Sequence, residues 1–303
     1  MYFPFMRGKR HELSALRKIV ASLNPEKIRP IIEPVKANCN NLFITIRDLN
    51  AHNISPLVII NPLVGELIDN NSAHLFSELE DENLTFLPCI AFSLDNVPTA
   101  SQLANQFMSD GQDFATYFKD EPTVDVSAIT SRALVNTIRA SSNTSHQFQS
   151  QMPQLVKITD SFSAQSRNAD YPIQPYVFSD AHITYRYTPN AIGFGDYQIV
   201  GESFSENGGP ARAVAIHITY IEPNNNDNML IRHCVSTVSG GTTSNTAGKF
   251  LEALGQLIVF ANQNAALDQS THGFQAFVDL HNRRHFPNLG PVKENSIMHH
   301  IET

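Results

Sequence analysis

The chain has 303 residues, a hydrophobic fraction of 42%, a charged fraction of 17% and a formal net charge of −8. That length can bury a large core, and the composition is that of a globular protein rather than a disordered or fibrous one. The negative balance excludes a general binder of nucleic acid or anionic membrane, because phosphate contacts need Lys and Arg.

The chain opens on "MYFPFMRGKR", a short apolar stretch followed by Arg7, Lys9 and Arg10. In "HELSALRKIVASL" (11–23), Leu13, Leu16, Ile19, Val20 and Leu23 recur at helical spacing, which predicts an amphipathic helix with a solvated basic face. Next come short apolar runs separated by helical segments such as "NLFITIRDLNAHN", "SQLANQFMSD" and "HQFQSQMP". The runs predict strands at 29–35, 56–61, 84–91, 114–119, 134–140, 154–159, 196–202 and 211–221. Most early runs are continuously apolar, as in parallel strands buried on both faces. A long polar block occupies 161–192. "MLIRHCVS" predicts an extra strand pairing as a hairpin with 211–221 across "EPNNNDN". "AGKFLEALGQLIVFANQN" (247–264) and "STHGFQAFVDLHNRRHF" (270–286) predict two helices. There is no internal repeat or linker, so one domain over 1–303 is expected.

Strands alternating with helices predict an α/β fold, a (β/α)8 TIM-barrel-like architecture with an antiparallel hairpin in the last third. The alternative is an open doubly wound sheet. "GFGDY" (193–197) does not open a helix after a strand, so it is no dinucleotide fingerprint. "SFSENGGPA" (203–211) is too short for a crossover helix, which leaves two arrangements for 196–202 and 211–221: parallel neighbours or a hairpin.

Cys39, Cys89 and Cys234 are odd in number and far apart, forming neither a metal-binding pair nor a disulfide framework, so a reducing cytoplasm is expected. No apolar run approaches the roughly 20 residues of a membrane span.

A barrel carries its chemistry at the C-terminal ends of its strands. Those ends hold the candidate catalytic residues Glu33, Asp120, Asp160, Glu202 and His217, carboxylates and an imidazole suited to acid–base work. Glu33, Asp120 and Asp160 are also the candidate ligands of a divalent cation, the one cofactor expected. Lys36, Asn61 and Arg139 at strand ends, Asp196 in "GFGD", and Arg167, Asn168, Asp170, Asp180 and His182 in the long block are candidate ligand-binding residues. An Arg fork among them suits a phosphate or carboxylate. The structural alternative is plain: strand ends meet water, and Asp, Asn and Lys serve there as turn formers and caps. Likewise Lys157 is either a Schiff-base lysine or an outward, snorkelling one, and His217 either a core histidine or an inward acid–base group. No GxSxG, Walker A, HExxH or CxxC motif is present.

Six stretches carry a family resemblance: "MYFPFMRGKRHELSALR", "RPIIEPVK", "SRNADYP", "FSDAHITY", "GFGDYQIVGESFSENGGPARAVAIHITY" and "HFPNLGPVKENSIMHHIE". Through them the chain resembles the "beta protein" family of bacteria and phage satellites over nearly its whole length. The resemblance implies a single domain and a role in anti-phage defence in a mobile element, with a protein partner from the same locus. It brings no catalytic residue with it. Two functions follow as expectations. One is a barrel hydrolase or lyase acting on a phosphate- or carboxylate-bearing ligand. The other is a non-catalytic sensor or scaffold that binds a phage component or partner effector, with the basic N-terminal helix and the "SIMHHIET" tail as contact surfaces.

Overall fold

The computed structural model describes residues 1–68, 72–141, 144–206, 212–237 and 243–303. Its strands are β1 (Tyr2–Met6), β2 (Ile31–Ile32), β3 (Leu57–Ile59), β4 (Leu87–Phe92), β5 (Ala115–Phe118) and β6 (Val135–Ala140). Then follow β7 (Leu155–Thr159), β8 (Tyr176–Ser179), β9 (Ala191–Asp196), β10 (Ala215–Glu222) and β11 (Asn228–Val235). The helices are α1 (Arg10–Ile19), α2 (Asn40–Ala51), α3 (Ser72–Asp81), α4 (Val97–Ser109) and α5 (Ser127–Arg132). They continue with α6 (His146–Gln151), α7 (Ala181–Thr184), α8 (Thr246–Gln263), α9 (His272–Arg283) and α10 (Leu289–Glu302). The chain divides into two compact units. The first comprises Met1–Leu13, Val20–Asp160 and Ala181–Tyr197; the second comprises Ser14–Ile19, Ser161–Asp180 and Gln198–Thr303.

The first unit is a closed barrel of eight parallel strands in the order β1-β2-β3-β4-β5-β6-β7-β9. Strand residues alternate between its two faces. Inward positions such as Phe3, Phe5, Leu57, Ile59, Cys89, Ala115, Tyr117, Val156 and Ile158 form the barrel core. Outward positions such as Ile90, Phe92, Phe118, Ile138 and Leu155 join Ala104 and Phe107 of α4 in the layer between strands and helices. Fully burying each such aliphatic or aromatic side chain stabilises the fold by about 1.5–3 kcal/mol. Lys157, flanked by inward Val156 and Ile158, takes the outward face, so the snorkelling reading holds.

The expected barrel is present, but three of its segments differ from the pattern read in the sequence. The first strand is Tyr2–Met6, whose Pro4 and short length disguise it, and it pairs with β2 and β9. The segment predicted at 196–202 is not a strand; the chain forms β9 at Ala191–Asp196, where Gly193 and Gly195 suggest a turn. Both glycines sit on the seam with β1. A Cβ on Gly195 would collide with the Phe3 carbonyl and the Ile158 side chain, and one on Gly193 with the Met1 carbonyl and the Phe3 ring. They permit close approach rather than a turn. The strand predicted at 211–221 is β10, and it lies outside the barrel; residue 211 falls outside the described residues, as do Asn207–Pro210 of the preceding connection.

In the second unit β10 pairs antiparallel with β11, from Ala215 opposite Val235 to Glu222 opposite Asn228, as the sequence predicts for "MLIRHCVS". The three-stranded sheet has the order β10-β11-β8, and β8 lies inside the long polar block 161–192. Ile216, Ile218 and Tyr220 alternate onto one face, where they pack with Phe250, Leu254 and Leu257 of α8 and Phe274 and Phe277 of α9. His217 and Thr219 take the other face. The "SIMHHIET" stretch is no surface tail: it lies in α10 with Ile297, Met298, His299, His300 and Ile301 buried. The basic helix is likewise tied down, with Lys18 Nζ 2.6 Å from Glu294 of α10.

His299 has both ring nitrogens engaged. Its Nε2 donates to the Thr219 carbonyl at 2.6 Å, which leaves Nδ1 to accept from the Thr271 hydroxyl at 2.7 Å. That tautomer is neutral, and burial pushes the pKa down to about 4 against the opposing pull of the Thr219 carbonyl.

Two outcomes follow. Gly195→Ala should destabilise the protein by about 1–3 kcal/mol through overpacking at the seam, read as a lowered denaturant midpoint, whereas Gly111→Ala, where a Cβ meets nothing, tests only its positive φ. For His299, the unfolded chain binds a proton near pH 6.5 and the folded chain only near pH 4, so its stabilisation is full above pH 6.5 and is lost as the pH falls toward 4. Its share of the loss between pH 7 and pH 4.5 is about 2–3 kcal/mol, which His299→Gln should remove from the pH profile of unfolding.

Candidate active site at the barrel mouth

Each barrel strand has an inward register, and two residues beyond its last inward apolar position the chain reaches the C-terminal rim. Continuing Phe3 and Phe5 gives Arg7; continuing Ile31 gives Glu33; continuing Leu57 and Ile59 gives Asn61. The same step gives Ser93 after Ala91, Lys119 after Tyr117, Asp160 after Ile158 and Tyr197 after Gly195, and two such steps from Val135, through Thr137, give Arg139. Period-two geometry therefore gathers a ring of polar residues at one end of an apolar barrel.

At the centre, Tyr117 and Tyr197 join hydroxyl to hydroxyl at 2.7 Å, and both rings pack on Phe5, with centroids 4.9 and 5.0 Å away. The Arg7 guanidinium lies over Phe5 and Tyr197, 5.1 and 5.8 Å from their centroids. Arg7 Nη1 donates to Glu33, whose other oxygen accepts from the Leu63 N–H at 2.7 Å. Arg7 is 6% exposed and Glu33 is 0% exposed, so neither charge has water to fall back on. Arg139 donates through Nε to the Lys119 carbonyl and through Nη2 to Asp120, both at 3.0 Å. The Lys119 ammonium, half-buried, has no hydrogen-bond or ion-pair partner among the described residues. Asp160 is exposed to solvent.

Asn61 is held by its amide, which exchanges hydrogen bonds with the Ala91 backbone at 2.7 and 2.8 Å. Beside it a cavity of about 580 Å³ opens at the ends of β3 and β4, lined by Leu63, Ser93, Asp95, Asn96 and Thr99 among others. That volume is within the usual range of small-molecule pockets, about 300–1,000 Å³.

Glu33, Asn61, Arg139 and Asp160 thus share the rim, with Asp120 attached through Arg139. Other candidates in this unit lie elsewhere. Lys36 pairs with Glu66 at 2.7 Å on the surface. Buried Asp196 accepts from the Tyr2 hydroxyl at 2.7 Å, and burial together with that carboxylate raises the Tyr2 pKa well above its ordinary value. His182 stands in α7 beside Phe194. In the second unit, Arg167 forks onto Asp170 at 2.7 and 2.8 Å, and Asn168 donates to the Ala213 carbonyl at 2.8 Å. Asp180 is exposed, Glu202 is half-buried, and His217 faces His233 across β10 and β11. Among the described residues no three His, Cys, Asp or Glu side chains are grouped to hold a metal ion, so Glu33, Asp120 and Asp160 do not form a cation site. Also among the described residues, no helix is long and apolar enough to cross a membrane.

Lys119 stands at the end of the predicted strand 114–119, whereas Arg7 and Tyr197 are rim residues that the strand-end pattern does not single out. The signal for Arg7 is the alternation Phe3, Phe5, Arg7 in "YFPFMR", visible only once that stretch is read as a strand. Compared with known proteins, the chain matches no family model and no curated protein.

Removing one partner of a buried ion pair leaves the other charge stranded. Arg7→Met should lower the unfolding free energy by about 3–5 kcal/mol, and Arg7→Met combined with Glu33→Leu should recover most of the loss in a double-mutant cycle read by denaturant unfolding.

Proposed function

We propose that the chain is a (β/α)8-barrel enzyme of the beta protein family that acts in anti-phage defence on a phosphate- or carboxylate-bearing ligand held at the barrel mouth. The observation that carries this reading is the rim itself: the inward registers end in Arg7, Glu33, Asn61, Lys119, Arg139 and Asp160, and the Lys119 ammonium has no partner among the described residues. An ammonium that engages no described residue suits an incoming anion. The adjoining cavity supplies room for the rest of the ligand. In this reading Lys119 and Arg139 hold the anion, and Asp160 exchanges a proton with the reacting group. Hydrolase and lyase chemistry share this requirement for an anion clamp and a positioned acid–base group. A cytoplasmic setting agrees with the free thiols of Cys39, Cys89 and Cys234.

A second reading has its own support. Glu33 and Asp120 are already engaged by Arg7 and Arg139, an arrangement that also suits a rigid, non-catalytic barrel sensing a phage component or docking a partner from the same locus. Phage-protection assays separate the two. With the melting temperature unchanged, Lys119→Met and Asp160→Asn should each abolish protection if the mouth does chemistry on an anion. Full protection from both variants would overturn the enzymatic reading and leave the sensor or scaffold.

A further inference from the structure

The second unit carries a cavity of about 240 Å³ that the barrel-mouth reading does not use. Leu289, Val292, Lys293 and Ser296 reach it from α10 at spacings of three and four, so a single helix face forms one wall. Across from them stand His217 of β10 and Asn168, with Phe162, Ile199 and Val200 completing an apolar lining. Among the described residues no carboxylate lines the cavity, and Lys293 makes no hydrogen bond or ion pair.

His217 is the end of a relay. Its Nδ1 lies 2.7 Å from Nδ1 of His233, its register partner, and His233 Nε2 lies 3.0 Å from the Tyr176 hydroxyl. The rings of Phe162 and Tyr171 meet His217 edge-on, with centroids 5.0 and 4.7 Å away, and fix its plane. Its remaining nitrogen, Nε2, has no partner among the described residues. Burial, then the neighbouring His233, then Lys293 hold the His217 pKa well below its ordinary value, so the ring is neutral at neutral pH. A neutral chain of this kind has two proton arrangements. In one, protons point from His217 Nδ1 to His233 and from His233 Nε2 to Tyr176, and His217 Nε2 presents a lone pair. In the other, Tyr176 donates to His233 Nε2, His233 Nδ1 donates to His217 Nδ1, and His217 Nε2–H is offered to the cavity. Switching from the first to the second takes up one proton from solvent at His217 Nε2 and releases one from the Tyr176 hydroxyl at the other end, so the charge of the chain is unchanged.

We propose that this cavity is a binding site for a small organic monocarboxylate with an apolar body, its carboxylate paired with Lys293 and accepting from His217 Nε2–H. A single ammonium matches a single negative charge, and the apolar lining matches the body. Binding selects the second proton arrangement, so the acceptor on the ligand is read out as far away as Tyr176.

The test uses the full chain and 3-phenylpropionate as probe, with 3-phenylpropionamide as its neutral counterpart. Calorimetry should show saturable binding of the acid and at least about tenfold weaker binding of the amide. In protein labelled with ¹⁵N-histidine, the acid should make Nε2 the protonated nitrogen of His217, with a matching exchange on His233. Lys293→Met should weaken the acid at least about tenfold, and Lys293→Arg should restore most of the affinity. The amide comparison uses unaltered protein and stands even if a variant folds poorly. Absence of saturable binding, equal affinity for acid and amide, or a His217 tautomer that does not respond would each overturn the proposal.

Discussion

The barrel depends on how its last strand is admitted between the first and the seventh. β9 pairs with both β1 and β7, and its inward positions are Gly193 and Gly195. Bulky residues there would meet Phe3 and Ile158, which already fill the barrel. A protein interior packs at crystal-like density, so the seam closes only because one strand leaves its inward volume to its neighbours. Phe3 and Phe5 take that volume, and the aromatic floor under the mouth, Phe5 with Tyr117 and Tyr197, follows from it.

That floor sets the electrostatics above it. Arg7 and Glu33 are buried, with the guanidinium over apolar rings, so both charges need specific partners. Arg7 and Glu33 resolve the problem as a buried pair reinforced by the Leu63 N–H, and Arg139 resolves it with Asp120 and a backbone carbonyl. These contacts fix rotamers in place, which is what a site needs from its supporting residues. Lys119 stands apart because its backbone carbonyl serves Arg139 while its ammonium serves nothing within the described residues. In the proposed function that makes it the group that receives the anion.

The sequence discloses the middle of the barrel well, because β3 to β7 are apolar runs flanked by amphipathic helices and there local pattern and global fold agree. It also discloses the β10–β11 hairpin, since "EPNNNDN" is turn chemistry between two apolar runs. It hides both strands of the seam for physical reasons: β1 is short and interrupted by Pro4, and β9 replaces inward apolar residues with glycines and so lacks the alternation that marks a strand. Missing them conceals Arg7 and Tyr197. Glu33, Asn61, Arg139 and Asp160 remain visible because strand ends can be found without knowing which strands are neighbours. The grouping of acidic residues as metal ligands fails for the complementary reason: sequence order says nothing of which carboxylate an arginine will engage, and Asp120 goes to Arg139.

The histidines of the second unit show why burial alone does not identify a functional group. His299 and His217 are both held neutral chiefly by burial, yet they differ in what their second nitrogen does. In His299 both nitrogens are fixed, one by Thr219 and the other by the Thr271 hydroxyl that also caps α9 by accepting from Phe274 N–H. Every polar atom of that ring is committed to holding the sheet, the cap and α10 together, so it has nothing left to offer a ligand. His217 uses one nitrogen on His233 and, among the described residues, keeps the other unengaged, beside a lysine in the same condition. Both groups line the same cavity, which is where a ligand's carboxylate would engage them together.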